Sequence, residues 1–467
     1  MTGKAPTGVL TQDPTIAEQF AAWVSGLRFA DLPPDVVEQA KQAVADTVGV
    51  MVAGAATARV APYRRLVGDG TADGPATITG EQAGFRSQDA AFVNAIYAHS
   101  SELDDIFLAA GGHPGVVTVP AALATAEQLD GSGADLLTAV VAGYEIMHRS
   151  INPIFPHTQR RGFQGTGLAG PFGSAAVAGS LRGLDARTLA NAFGIAGCSS
   201  SGLMEYDQSG GESKRLYAGL GSRAGIEAAA LAADGVTGPL TIYEGRRGVF
   251  HAFADHADIE RATEGLGAGY RIATHRHVKP YPVVASIHGA LDALRVLVPK
   301  PVPSSEIRRV TITVPQLALS HGGAIRVPTD TLSAQFSFAY AVAVWVLTGT
   351  VDVHWFEDEA FRGSSEVAAV CALVEVVADT QLERDAQQGG GTVRVEFADG
   401  RAETVSRPIP SGRPDNPLTA EERRDRFARL TRPSLGAARA DELYAALAAL
   451  DTAPSVAGVT ALLRKGK

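Results

Sequence analysis

Apolar residues recur at helical spacing through about 240 residues after position 14, which restricts the first half of the chain to a helical fold. Val37 and Ala40 follow this spacing after Pro34, a residue suited to the first turn of a helix. Ser87 is predicted to cap a helix that runs toward His99. Further helices are predicted near residues 116–129, 133–150, 170–183, 186–197 and 215–234. Their alanine and glycine content favours close helix–helix contact, and no strand alternates with them as in a Rossmann domain.

The pattern changes after about residue 255. Val310, Ile312 and Val314 alternate with polar residues, which predicts a half-buried strand. Residues 392–397 and 402–405 flank Asp399-Gly400, a pair typical of a β-hairpin turn. We also predict helices at 286–298 and 333–347. The predicted fold class is therefore mainly α, with a large all-helical domain plus a smaller α+β lid domain. The predicted domains are 14–255 and 256–433, with a C-terminal helix at 434–464 that docks back on the helical domain.

Composition narrows the partners and the compartment. The 467 residues carry a net charge of −9 without a long basic run, so we expect no nucleic acid partner. Two cysteines exclude a disulfide framework and fit a cytoplasmic protein. The longest apolar run, at 338–347, is about half of a membrane span, so we expect no membrane partner. Residues 1–13 are predicted to form a loose polar arm without the apolar core of a signal peptide.

The strongest concentration of chemical groups lies at residues 99–113. The run His99-Ser-Ser-Glu102-Leu-Asp104-Asp105 is followed by His113 after a glycine-rich loop. A carboxylate beside a histidine can orient that histidine as an acid or base. Two other interpretations stay open: a solvated acidic turn with helix caps at both ends, and a metal site built from Asp and His.

Two further motifs lie in the helical region. A formal G-x-G-x-x-G at 165–170 lacks a preceding strand, so we interpret its glycines as helix packing or pocket lining rather than dinucleotide binding. Gln164 precedes it. The run Ser213-Lys214-Arg215-Leu-Tyr217 begins a predicted helix, where an ammonium and backbone N–H groups can bind a carboxylate. The alternative is a capped surface helix with an exposed lysine.

A fourth motif is rich in histidine and proline. It reads His275-Arg-His277-Val-Lys279-Pro-Tyr281-Pro, with His288 nearby. The prolines fix the backbone, so that Lys279 and Tyr281 would be held rigidly. An H-x-H pair can bind metal, but taken alone this segment is a basic turn.

Taken together, the ordered set of motifs resembles the MmgE/PrpD family, also called the 2-methylcitrate dehydratase family. The set runs H-x-x-x-x-D-D, H-P-G, G-x-x-x-x-G-x-x-G-P-F-G, S-K-x-x-x-A-G and K-P-Y-P, and the likeness covers about residues 14–460. The resemblance implies a helical domain with an α+β lid, a homodimer, and proton transfer next to a carboxylate without a metal or organic cofactor. Members include 2-methylcitrate dehydratase, cis-aconitate decarboxylase and iminodisuccinate epimerase.

The resemblance also implies roles for individual residues. The implied catalytic residues are His113, Asp104, Asp105, Lys214 and Lys279. The residues expected to bind substrate are His99, Glu102, Gln164, Arg215, Tyr217 and Tyr281. The chain departs from the decarboxylase-like pattern at five points: Glu102 is one methylene longer than the expected acid, Ile106 replaces a threonine, Gln164 and Val284 replace histidines, and one residue is inserted before His113.

The sequence therefore predicts a cofactor-independent lyase of the dehydratase type that acts on a small di- or tricarboxylate. His113 would move the proton, oriented by Asp104 or Asp105, and Lys214 and Lys279 would bind carboxylates. The alternatives are an epimerase or isomerase, a decarboxylase of a related polycarboxylate, and a non-catalytic carboxylate-binding protein. The loss of histidine at Gln164 and Val284 favours the last of these.

Overall fold

The computed structural model describes residues 13–465 apart from 72–73, 108–109, 210 and 380–388, so the predicted arm at 1–13 lies almost wholly outside the described residues. The fold is mainly α with a smaller α+β part, as the sequence predicted. The first part contains the helices Ile16–Gly26, Pro34–Ala55, Ala61–Leu66, Ser87–Ala98, Gly115–Leu129, Gly133–Ile151, His157–Arg160, Gly165–Leu181, Ala186–Ala196, Tyr206–Ser209, Lys214–Ala233, Val249–Phe253, Glu260–Thr263 and Arg271–Thr274. No single described helix is long and apolar enough to cross a membrane. One bent pair of helices, Pro34–Ala55 with Ala58–Leu66, resembles a membrane span in length and composition only.

The local signals for helix starts are confirmed at one position and wrong at another. Pro34 occupies the first turn of its helix, where its missing N–H costs nothing. Ser87 does not cap the helix that ends before His99. It is the first helical residue, and its hydroxyl donates to Gln128 at 2.7 Å instead.

The glycine-rich motif packs helices, as interpreted from the sequence. It lies in the helix Gly165–Leu181, which crosses Lys214–Ala233 at small residues. A methyl group on Gly170 would lie 3.4 Å from the Cα of Gly221, and one on Gly225 would overlap the Ser174 side chain. Glycine here allows two backbones to approach closely, which places the start of the second helix beside the site.

The smaller region is a four-stranded sheet with helices on it. The strands lie in the order Val374–Ala378, Ile307–Val314, Gly391–Phe397 and Ala402–Arg407, which confirms the predicted strand and hairpin. Only the first pair is parallel. The helices of this region are His288–Leu297, Gln316–Ala318, Thr331–Phe336, Phe338–Thr348, Val353–Glu357, Glu359–Arg362 and Ser365–Leu373. The helix predicted at 333–347 is divided because Ser337 is extended, and its hydroxyl caps the second piece by accepting from the Tyr340 N–H.

The chain returns to the helical region at its end. The last helices are Ala420–Leu435, Ala437–Ala448 and Ala457–Ala461. Phe427, Leu430 and Leu443 all pack in the core of the helical region. The helix Ala420–Leu435 thus lies against the helical core, although most of it falls within the range predicted for the lid. The domain limits at 255 and 433 stay predictions.

The helical region also contains two short strand pairs, one of which assembles the site. Ala76–Thr77 pairs with Gly84–Phe85, and Ala76 and Phe85 are buried in the core of the helical region. Ile106–Phe107 pairs antiparallel with Arg276–His277, with Ile106 opposite His277. This second pair joins segments about 170 residues apart and places the 99–107 loop beside Lys279.

Candidate active site

A cavity of ≈ 110 Å³ lies between the two hydrophobic cores. This is somewhat below the roughly 150 Å³ of an engineered cavity that holds benzene, so a ligand larger than benzene must widen the cavity or extend beyond it. Its charged lining residues are Glu102, His113, Lys214 and Lys279. These four were predicted as site residues from three separate motifs, and the structure brings them to one cavity.

His113 is linked to a buried carboxylate. Its Nδ1 lies 2.7 Å from Oδ2 of Asp104, and the same oxygen accepts from Nδ1 of His99 at 2.9 Å. The two imidazole rings meet edge to face with centroids 4.8 Å apart. Since Nδ1 of His113 faces Asp104, its Nε2 is the ring nitrogen available to a ligand in the cavity.

The charges of His99 and Asp104 follow from their burial and from their neighbours. Burial lowers the pKa of His99 to about 3, so the ring stays neutral. Burial opposes ionisation of Asp104, but His99, His113 and Lys279 outweigh it and hold the pKa of Asp104 well below its usual range. A permanent carboxylate thus fixes the orientation of His113 and can stabilise its protonated form, as an acid–base histidine requires.

Glu102 bridges the two lysines. Its Oε1 pairs with Nζ of Lys214, and its Oε2 accepts from Nζ of Lys279 at 3.1 Å. Burial lowers the pKa of both lysines, and their mutual repulsion lowers the pKa of Lys214 further. The φ of Glu102 is 53°, in the left-handed region that is uncommon for residues other than glycine. When both lysines are protonated, the pair and its single carboxylate present about one positive charge to an anionic ligand.

Asp105 is held by donors from three separate segments. It lies outside the described lining of the cavity, and its oxygens accept from the N–H of Gly115 at 3.0 Å, Tyr144 at 2.6 Å and Arg276 at 2.7 Å. These contacts give Asp105 a structural role, and its predicted catalytic role stays a prediction. It holds the 99–107 loop to the start of the helix Gly115–Leu129, where a negative charge is favourable.

Four predicted substrate-binding residues lie outside the described lining of the cavity, and one of them, His99, contacts Asp104 as described above. Arg215 is buried, but it donates to the Ser100 carbonyl and pairs with Glu212. The Tyr217 hydroxyl donates to the Leu203 carbonyl at 2.8 Å, and the Tyr281 hydroxyl to Asp292 at 2.8 Å. In the described part of the chain none of the four lines the cavity. Burial raises the pKa of Tyr281, which opposes proton release.

Gln164 lines the cavity, as predicted. Both polar atoms of its buried amide lack a hydrogen-bond partner among the described residues. Gln159 and Ser286 also line the cavity, and Oε1 of Gln159 and Oγ of Ser286 likewise lack a hydrogen-bond partner among the described residues. Neither residue is among the predicted binding residues. Buried polar atoms normally have partners, so this arrangement favours a ligand that supplies them. The sequence signal that could have identified Ser286 is its position close to the K-P-Y-P motif, two residues after Val284.

Among the described residues, the two histidines of the H-x-H motif contact different partners. His275 meets His148 edge to face with centroids 4.7 Å apart, whereas His277 meets His288 at 5.5 Å, so the H-x-H pair does not converge on one ion. His157 meets His256 edge to face with centroids 5.3 Å apart.

The distances within the cluster of His99, Asp104 and His113 bear on whether it could hold a metal ion. Ligand atoms of His99, Asp104 and His113 lie within 4.8 Å of one another. Their contacts of 2.7 and 2.9 Å have the length of direct hydrogen bonds. Ligands about 2.0 Å from a tetrahedral ion stand about 3.3 Å apart, so the group would have to open to admit one.

The buried histidines predict a loss of stability in mild acid. Burial lowers the pKa of His99 and His277 to about 3, that of His275 to about 4, and those of His148 and His288 well below the usual value. Histidines in the unfolded state have a pKa near 6.5, so between about pH 6.5 and pH 3 the unfolded state binds more protons than the native state. The free energy of unfolding therefore decreases as the pH decreases through this range. One such histidine accounts for about 2 kcal/mol between pH 7 and pH 5.

Denaturant unfolding at pH 7, 6 and 5 measures this effect. We expect the midpoint to fall at each step, and His277→Gln to reduce the fall by the share of one histidine. His251, which is exposed, offers the control, since His251→Gln should leave the pH dependence unchanged. A midpoint that stays constant from pH 7 to pH 5 would contradict the prediction.

The sequence matches one known protein family over most of its length. Residues 18–262 match the family model described as the MmgE/PrpD N-terminal domain, and residues 281–452 match the MmgE/PrpD C-terminal domain. The chain is 26% identical to "Cis-aconitate decarboxylase-like protein oryM" of Aspergillus oryzae over 97% of this chain and 98% of that protein. It is 27% identical to cis-aconitate decarboxylase of Aspergillus terreus, covering 84% and 85% of the two chains. It is 26% identical to cis-aconitate decarboxylase of Homo sapiens over 74% of this chain and 73% of that protein.

Proposed function

Because the chain belongs to the MmgE/PrpD family, we propose that it is a lyase that transfers a proton next to a carboxylate of a small di- or tricarboxylate. One observation carries the proposal: a histidine on a buried carboxylate and a lysine pair on Glu102 line the same small cavity. An acid–base group and a carboxylate-binding group are the two parts that such chemistry needs. The proposal includes no metal or organic cofactor.

Lys214 and Lys279 bind a substrate carboxylate in this mechanism. Nε2 of His113 removes the proton from the adjacent carbon, and the electron pair moves into the carboxylate to form an enediolate. The ammonium groups stabilise the charge that develops there, and Asp104 stabilises the protonated imidazole. In the dehydratase form the pair returns, the C–O bond to a β-hydroxyl breaks, and Lys279 protonates the leaving hydroxyl. Tyr281 is unsuited to that step, because it donates to Asp292 outside the cavity.

Decarboxylation is the second candidate, supported by the names of the relatives. In that reaction the C–C bond to one carboxylate breaks, carbon dioxide leaves, and His113 protonates the resulting carbanion. An epimerase would need a second proton donor on the opposite face, for which Lys279 is the candidate. A non-catalytic carboxylate-binding protein remains the alternative from another class. The homodimer and the cytoplasmic location also stay predictions.

Proton exchange tests the proposal directly. We expect the protein in D2O to catalyse deuterium uptake at the carbon next to a carboxylate in at least one member of a panel of di- and tricarboxylates, followed by NMR. A new ultraviolet-absorbing alkene without loss of carbon would identify dehydration, and carbon dioxide release would identify decarboxylation. Binding of panel members without exchange or product would refute the enzyme and favour the binding protein.

A further inference from the structure

One wall of the cavity is apolar. Its side chains come from five separate segments of both regions, and they begin beside the charged groups, since Nζ of Lys214 lies 5.1 Å from the Phe336 ring centroid. The wall consists of Ile106, Phe155, Phe163, Met204, Val284 and Phe336. A cavity whose lining combines charged and apolar side chains fits a ligand that carries both carboxylate and apolar groups.

The positive charge available to the ligand is small. Among the described residues that line the cavity, Lys214 and Lys279 are the only Lys or Arg side chains, and both pair with Glu102. Nearby buried arginines have other partners: Arg276 binds Asp105 and Asp46, and Arg426 binds Asp46 and two backbone carbonyls. The histidine, once protonated, adds one more positive charge. A third ligand carboxylate would therefore find no further Lys or Arg among the described lining residues to compensate its desolvation.

We infer that the substrate is a dicarboxylate with an alkyl arm, its two carboxylates at the lysine and histidine end and the arm on the apolar wall. The inference rests on the proposed function and narrows its substrate class from di- or tricarboxylates to this one. Gln159, Gln164 and Ser286 supply hydrogen bonds to the polar end. Each methylene of the arm that leaves water favours binding, whereas a compact tricarboxylate gains nothing from the wall.

Binding of a matched ligand series tests the inference without turnover. The ligands are succinates that carry methyl, ethyl, propyl or butyl at carbon 2, with tricarballylate for comparison, titrated calorimetrically into the full-length protein. We expect affinity to rise about fourfold with each methylene that is buried, the ratio equivalent to about 0.8 kcal/mol. Tricarballylate should bind more weakly than propylsuccinate. Equal affinities along the series, or tighter binding of tricarballylate, would overturn the inference.

Two variants separate the wall from the charged end. Val284→Thr keeps the shape of the side chain but adds a hydroxyl. The ratio of the affinities for butylsuccinate and methylsuccinate should fall by about fourfold, which equals the contribution of one buried methylene. Val283 is equally well buried but lies outside the described lining, so Val283→Thr should keep the wild-type preference. If Val284→Thr fails to fold, the wild-type series alone decides.

Lys214→Met distinguishes this inference from the proposed function. It should weaken every ligand of the series alike, since it removes an ammonium group at the shared end. Binding by the wild-type protein without a chain-length trend sinks the alkyl arm and leaves the proposed site intact. Failure of the wild-type protein to bind any of the ligands, tricarballylate included, sinks both.

Discussion

Replacing His113 with alanine is expected to lower kcat by about a hundredfold or more, whichever carboxylate proves to be the substrate. Its ring lies at the cavity with Nδ1 on Asp104, so the substitution removes the group that we propose moves the proton, while the lysine pair remains. General acid–base groups contribute about 10²–10⁴-fold to rate. Steady-state kinetics on the substrate found by the exchange panel measures the effect, and KM should change much less than kcat.

The control for this variant is another histidine of the helical region. His157 stacks on His256 outside the described cavity lining, so His157→Ala should retain near-wild-type kcat. Asp104→Asn should fall between the two, with an altered pH profile, because the neutral amide still positions the ring but no longer stabilises its charge. A His113→Ala protein with near-wild-type kcat would remove His113 from the mechanism.

Asp105→Asn is expected to lower the free energy of unfolding by about 3–5 kcal/mol, the range for breaking a buried ion pair. In the native protein Asp105 and Asp46 share the charge of Arg276, and Asp46 also pairs with Arg426. The substitution leaves two buried guanidinium groups with one carboxylate. It also places an amide N–H₂ among donors from Tyr144 and Gly115. Guanidinium chloride unfolding at pH 7 provides the measurement.

The neighbouring carboxylate provides a matched comparison. Asp104→Asn makes the same chemical change one residue away, but Asp104 contacts two imidazoles and no guanidinium, so its unfolding free energy should change clearly less. The two variants thus separate by effect: Asp104→Asn mainly alters the pH profile and kcat, and Asp105→Asn mainly alters stability. An Asp105→Asn protein as stable as the wild type would show that the ion-pair network does not hold the loop.

Much of the fold could be predicted because its signals are local. Helical spacing, Pro34 and the Asp399-Gly400 turn each act within a few residues, and the corresponding helices and hairpin are present. Predictions at helix ends were less accurate where a distant partner intervened, as with Ser87, whose hydroxyl contacts Gln128 rather than its own helix. The ion pairs of Arg276 and Arg426 had no signal in the sequence, because their partners lie far away in the chain.

The sequence by itself determined the helical architecture, the family likeness and the set of chemical groups, His113, Glu102, Lys214 and Lys279, that meets at one cavity. Those follow from residue types and short-range spacing. Only the tertiary structure decided that Asp104 faces His113 while the adjacent Asp105 is enclosed by structural donors. The physical reason is that the side chains of two neighbouring residues point in different directions. Which of them faces His113 depends on the pairing of Ile106–Phe107 with Arg276–His277, a contact between distant segments.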